Sequence, residues 1–214
     1  VLVSLYEGQL EGLSGVMGAL SLFVALMTVV CTGMIYASLK PIRQWHNPLV
    51  TPLYVLFSLM SGALAFSVVM FALSGSVPEL TVRAFLVLTL LSLVIKVLYF
   101  NIIGKPDGST INTATGFSQA QVRLLDAGHN ADTFLTKEFM FDAGALKILR
   151  LRYLMFTLVF LVPLLLAAVV SYSNIQAWIY LAMMSVYAGL FVERWLFFAE
   201  ARHVVRLYHG DQRT

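Results

Sequence analysis

The sequence predicts an all-α, polytopic transmembrane helix bundle, and three observations carry that prediction. Five stretches stay apolar over about 20 residues or more, the length at which an α-helix crosses a hydrocarbon core of about 30 Å. Only 12% of the 214 residues are Asp, Glu, Lys or Arg, while 59% are hydrophobic. The charged share is about half that of soluble domains, so the bilayer, and not a soluble core, is the natural solvent for this surface. The mean hydropathy of +0.84 agrees. Third, most charges sit in the connections and leave the apolar stretches nearly bare.

Helix A is expected over residues 13–37. Its small residues Gly15, Gly18, Ala19, Ser21 and Ala25 recur about a turn apart, a spacing that lets helices approach closely in lipid. Helix B is expected over 49–73, with Pro48 and Pro52 at its start, where a missing N–H costs little. The Ser74-Gly75-Ser76-Val77-Pro78 run separates it from helix C at 80–102. Helix D is expected over 153–172 with a kink at Pro163. Helix E follows at 175–199, with an extension toward Tyr208. Residues 103–152 form a long polar connection that holds Gly104, Pro106, Asp107 and Gly108 and two short helical stretches near 118–125 and 133–149. A connection of this length is usually functional.

Charge then orients the bundle. Lys40 and Arg43 lie between A and B, and Lys105, Arg123, Lys137, Lys147, Arg150 and Arg152 lie between C and D. Arg202, Arg206 and Arg213 follow E. With five crossings all of these fall on one side, whereas the other side holds Arg83 beside Glu7, Glu11 and Glu79. Short loops rich in Lys and Arg stay in the cytoplasm, so the long connection and the C-terminus are expected there and residue 1 opposite. The net charge of +3 and the pI near 9.1 therefore read as topology signals rather than nucleic-acid affinity. The single cysteine, Cys31, lies in an apolar run, which excludes an internal disulfide and a cysteine-ligated cluster in this chain.

The four histidines, His46, His129, His203 and His209, lie in connections or near the end of the last helix. None stands inside a span, where axial ligands would hold haem, and none is spaced as part of a zinc set. Haem and metal ligation are not expected. Ionisable groups inside the membrane are costly and become functional candidates by default. Lys96, near the end of C, is expected to snorkel to the interface. Glu193 reads either as a structural ion pair with Arg194 or Lys96, or as part of a proton path to a quinone. Positions 193 and 194 point about 100° apart, so they cannot both face one partner. Residues 36–48 form the densest polar and aromatic cluster at a helix end, with Tyr36, Lys40, Arg43, Trp45 and His46. They fit an interfacial aromatic belt, or a rim where a quinone headgroup and a partner protein meet. Quinone carbonyls need hydrogen-bond donors, and their reduction needs protons.

The runs CTGMIYASLKPIRQWHNPLVTPLYVLF (31–57), STINTATGFSQAQVRLLDAGHNADTFLTKEFMF (109–141) and FVERWLFFAEARHV (191–204) resemble the dimethyl sulfoxide (DMSO) reductase membrane-anchor family. Within it they are most similar to the branch that serves sulfite-oxidising molybdoenzymes. The resemblance implies an eight-helix anchor without haem. Such an anchor holds an iron–sulfur subunit and a molybdopterin catalytic subunit at the membrane and exchanges electrons with the quinone pool. Helices A–E would then correspond to the last five of the eight, and the histidine that the family uses between its second and third helices has no counterpart.

Tyr36 falls near the expected quinone headgroup, and Lys40, Lys96, Glu193 and Arg194 are further candidates for quinone binding or a proton path. Arg43, Trp45, His46, Arg123, His129, Lys137 and Glu138 are candidates for docking the partner subunits. The positive loops place those partners on the cytoplasmic side of a bacterial inner membrane, which suits oxidation of sulfite with electrons passed to quinone. Reverse flow, in which quinol drives an S- or N-oxide reductase, is the alternative within the family. A small transporter is the alternative from another class, but inverted repeats and broken helices are not evident.

Overall fold

A computed structural model describes residues 9–104, 109–117, 119, 121–126, 144–172, 176–209 and 211–212. Among these residues five helices are long and apolar enough to cross a membrane. Helix α1 is Gln9–Ala37, α2 is Val50–Ser74 and α3 is Glu79–Ile103. The fourth span joins α5 (Ala145–Phe156) to α6 (Val162–Tyr172) through a π-helical turn at Thr157–Leu161. The fifth is α7 (Trp178–Ala199). A five-residue helix, α4 (Ile111–Thr115), and a 3-10 turn at Val204–His209 lie outside the spans.

Several boundaries differ from the expected ones for physical reasons. Span four starts at Ala145 rather than near 153, so Lys147, Arg150 and Arg152 ride on its first two turns. Helical hydrogen bonding runs on through the interface, while an apolar window stops at the first charges. Helix α7 does not extend toward Tyr208. The chain leaves the helix after Ala199, and His203 pairs with Ile42 in a bridge where the Val204 N–H donates to the Pro41 carbonyl (3.1 Å). The described part of the stretch near 118–125 is not helical. The helix stands earlier, at α4, because Thr110 and Thr113 form a reciprocal capping box. The expected stretch at 133–149 lies mostly outside the described residues.

Pro163 acts through the turn before it. The Val162 N–H reaches back five residues to the Thr157 carbonyl, and the next bond in that register would come from Pro163, which has no N–H. The Leu158 carbonyl is left over, and the Ser185 hydroxyl of α7 donates to it at 2.8 Å. Gly189, one turn further along α7, lets this widened turn lie close: a Cβ there would stand 2.6 Å from Val159 Cγ2 and 2.9 Å from the Val159 nitrogen.

The spans alternate in direction, and contacts at both ends fix this. At one end the α2–α3 turn meets the start of the last span, where the Val77 N–H donates to Gln176 Oε1 (2.7 Å). At the other end the α1–α2 connection touches the ends of α3 and α7. The apolar core lies between α2, α3, the fourth span and α7, with Met60, Leu64, Phe85, Met155, Val159 and Val186 almost wholly buried. Helix α1 packs along α2, and Gly33 admits the contact: a Cβ there would come within 3.0 Å of Thr51 Cα. Other apolar side chains of α1, among them Val16, Leu20, Phe23 and Met27, face outward, as a helix surface solvated by lipid requires.

Candidate functional site

The site is built on the end of the bundle that carries the α1–α2 connection. Four successive residues there bond to three different helices. Arg43 Nη2 donates to the Ile102 carbonyl of α3 (3.1 Å), and the Gln44 carbonyl accepts from the Tyr99 hydroxyl (3.0 Å). Trp45 Nε1 donates to the Phe197 carbonyl of α7 (2.8 Å), and His46 Nδ1 donates to the Ala37 carbonyl of α1 (2.6 Å). The last carbonyls of a helix have no partner within it, so this loop satisfies three helix ends at once. Gln44 Oε1 also accepts the Arg202 N–H at 3.1 Å, which ties in the segment after α7.

Beneath the loop sits an aromatic cluster drawn from three helices. The Tyr36 ring packs edge-on to Trp45 and Phe197, each at 5.2 Å, and stacks on Tyr54 at 5.9 Å. Trp45 stacks on Phe197 at 5.6 Å. The Arg194 guanidinium lies over Tyr54 at 4.2 Å and Phe197 at 4.8 Å, within cation–π range.

Arg194 joins this cluster to a buried charge network. Glu193 Oε1 accepts from Lys96 Nζ at 2.6 Å, and Glu193 Oε2 accepts from Arg194 at 2.5 Å. The Lys96 and Glu193 side chains are 3% and 0% exposed. Lys96 therefore does not snorkel. It faces the bundle, because a lysine pointing outward at this depth would meet lipid. Positions 193 and 194 share no outside partner; the long Arg194 side chain bends back onto Glu193 itself. Two cations surround one carboxylate, so the trio carries a net positive charge. Arg194 Nη1 is buried and has no hydrogen-bond partner among the described residues. Burying an ion costs several kcal/mol even after relaxation, so apolar residues would serve packing alone more cheaply.

Closer to the loop, Arg152 of α5 pairs with Glu200 at 2.5 Å. Phe100 lies close to both this pair and Lys96, with Lys96 Nζ 4.7 Å and Arg152 Cζ 4.4 Å from its centroid.

Of the expected site residues, the fold gathers Tyr36, Lys96, Glu193 and Arg194 into one region. Lys40 is exposed on the turn after α1, outside it. Arg43, Trp45 and His46 direct polar groups into the chain, while Arg123 is exposed and His129, Lys137 and Glu138 lie outside the described residues. The fold adds Tyr54, Tyr99, Phe100, Arg152 and Glu200, which the sequence does not single out. Tyr99 and Phe100 carry a signal, since they stand three and four places after Lys96, on the same helical face. Tyr54, Arg152 and Glu200 carry none that spacing alone reveals.

The chemistry of the group divides by residue type. Arginine offers a rigid fork of donors, whereas lysine and glutamate belong to the residue types that serve as proton donors and acceptors.

Residues 2–199 match the family model of the DMSO reductase anchor subunit (DmsC). The chain is also similar to a sulfite dehydrogenase subunit of Allochromatium vinosum, at 30% identity over 197 residues. That alignment covers 90% of this chain and 60% of the relative, so the chain spans about 60% of that relative's length. No solved structure matches the chain. A family model that extends from the first helix to the last residue of α7 covers nearly every element of the site, and the chain belongs to the DMSO reductase anchor subunit family.

Proposed function

We propose that this chain is the quinone-reactive, electron-transferring membrane anchor of a molybdopterin iron–sulfur oxidoreductase that passes electrons from sulfite to quinone. The observation that carries the reading is Arg194, whose buried Nη1 has no hydrogen-bond partner among the described residues, set among aromatic rings beside a buried Lys–Glu pair. A quinone ring fits such surroundings, because it is flat and apolar and ends in carbonyl oxygens that accept hydrogen bonds. When bound, it supplies the acceptor for two electrons and two protons. Arg194 holds one carbonyl oxygen, and Tyr36 lines the aromatic cluster near it. Lys96 and Glu193 hold the exchangeable protons.

The loop end is then the docking face for the iron–sulfur and catalytic subunits. The exposed His46 and Arg123 are available to them, while Arg43 and Trp45 shape the platform, and His129, Lys137 and Glu138 are further docking candidates outside the described residues. The surplus of Lys and Arg at that end supports a cytoplasmic position in a bacterial inner membrane. Sulfite as donor is supported by the similarity to a sulfite dehydrogenase subunit.

Membranes that carry the assembled complex are expected to reduce a short-chain quinone when given sulfite. Their failure to do so would remove the reading. A hydrogen bond from a charged donor is worth about 1.5–3 kcal/mol, so Arg194→Leu is expected to raise the quinone KM about tenfold or more. Tyr36→Phe should slow turnover while the complex still assembles, because its ring contacts survive. Unchanged turnover in both variants would take these residues out of the site.

A further inference from the structure

Two ion pairs stand at the loop end of the bundle, and a cation from each lies over the same aromatic ring. The Lys96 and Glu193 side chains of the inner pair are 3% and 0% exposed, whereas in the outer pair Glu200 is 8% exposed and Arg152, at 33%, reaches the surface. Phe100 carries a cation close to its ring from each pair. Glu200 also lies within electrostatic reach of Lys96. The other groups that face the inner pair are Tyr99 and Arg194, of which Arg194 is 31% exposed but carries no carboxylate. The Tyr99 hydroxyl donates to the Gln44 carbonyl, and Arg194 lies over Tyr54.

Toward the opposite face the described interior holds no second ionisable relay. The buried Thr89 and Ser92 hydroxyls each donate to a carbonyl of their own helix at 2.6 Å. The next charged residues along α3 are Arg83 and Glu79, which pair with each other at its far end. Seventeen residues separate Glu79 from Lys96, about 25 Å of helix.

We propose that protons enter this membrane domain from the loop side at Glu200 and pass Phe100 to reach the Lys96–Glu193 pair. The inference rests on the quinone-reactive reading. In each cycle two electrons from the partner subunit's iron–sulfur clusters and two protons go to the quinone. For each proton that the Lys96–Glu193 pair gives to a quinone oxygen, the Glu200 carboxylate takes one from water and hands it on. Both sites then return to their starting charge. Arg152 and Arg194 stay bonded to Glu200 and Glu193 and hold the two carboxylates in place. The Phe100 ring, which meets a cation from each pair, has no atom that can carry a proton. Rotation of its side chain joins the two pairs.

The test uses the whole complex in vesicles of a single orientation, with sulfite as donor and decylubiquinone as acceptor. Proton uptake is expected from the compartment that faces the loops. Glu200→Gln should slow turnover about tenfold or more, with recovery in Glu200→Asp or on addition of a small weak acid, which a purely structural role would not allow. A readout independent of turnover comes from Phe100→Cys combined with Cys31→Ser: a small charged thiol reagent should label position 100 from the loop side alone.

Proton uptake from the opposite compartment, full turnover of Glu200→Gln, or labelling from the opposite side would each overturn the path while leaving quinone reduction in place. If the unaltered complex reduces no quinone, the reading beneath the path falls with it.

Discussion

Glu193 is bonded by two cations at once, and this asymmetry sets what each substitution in the trio costs. Glu193→Leu leaves Lys96 and Arg194 facing each other without a counter-charge, with Lys96 and the Arg194 Nη1 buried. Breaking a buried ion pair in this way costs about 3–5 kcal/mol. Lys96→Met leaves Glu193 neutralised by Arg194, so its cost should be clearly smaller. Denaturant titration of the purified complex in detergent would rank the two, and a larger loss for Lys96→Met would contradict the geometry. The sequence makes Lys96, Glu193 and Arg194 conspicuous, because charge in a span is expensive. It does not say that they meet. The contact joins positions 97 apart and depends on how α3 and α7 are rotated about their axes. Tyr54 is less legible still, since a tyrosine in an apolar helix looks the same whether it faces lipid or an arginine.

Among the elements, the fourth span shows how one residue acts on its neighbours. Proline at 163 predicts a kink. The chain instead widens into a π turn, and α7 answers with a hydroxyl at Ser185 and an absent side chain at Gly189. Ser185→Ala should leave the Leu158 carbonyl without its partner and cost about 1–3 kcal/mol. In a Pro163→Ala background the restored N–H can serve that carbonyl, so the same Ser185→Ala change should cost much less. A double-mutant cycle on thermal unfolding would measure the coupling. Equal costs in both backgrounds would mean that Ser185 does not depend on the proline. Span existence is readable from length and apolarity, and α2 and α3 lie within a residue of the expected bounds. The start of span four is not readable, because Gly144 and the helical bonds after it lie beyond the apolar window.

For the whole molecule, the five alternating crossings place the α1–α2 connection and the C-terminal segment at one end and the α2–α3 turn at the other. If the positive end faces the cytoplasm, Ser76→Cys in a Cys31→Ser background should react with a membrane-impermeant maleimide in intact cells. Ser38→Cys should react only after lysis. The reverse pattern would invert the orientation and move the proposed docking face to the other side of the membrane.

The sequence by itself determined the number of membrane-spanning helices, the unequal charge of the two ends and the identity of the costly buried ions. These follow from one-dimensional facts, because a bilayer demands about 20 apolar residues per crossing and sorts charge by loop. Only the tertiary structure decided which ions pair, that Arg43, Trp45 and His46 bond helix-end carbonyls, and that Phe100 meets a cation from each of two ion pairs. Those outcomes depend on helix rotation and side-chain reach between distant segments, and hydropathy along the chain carries no record of either.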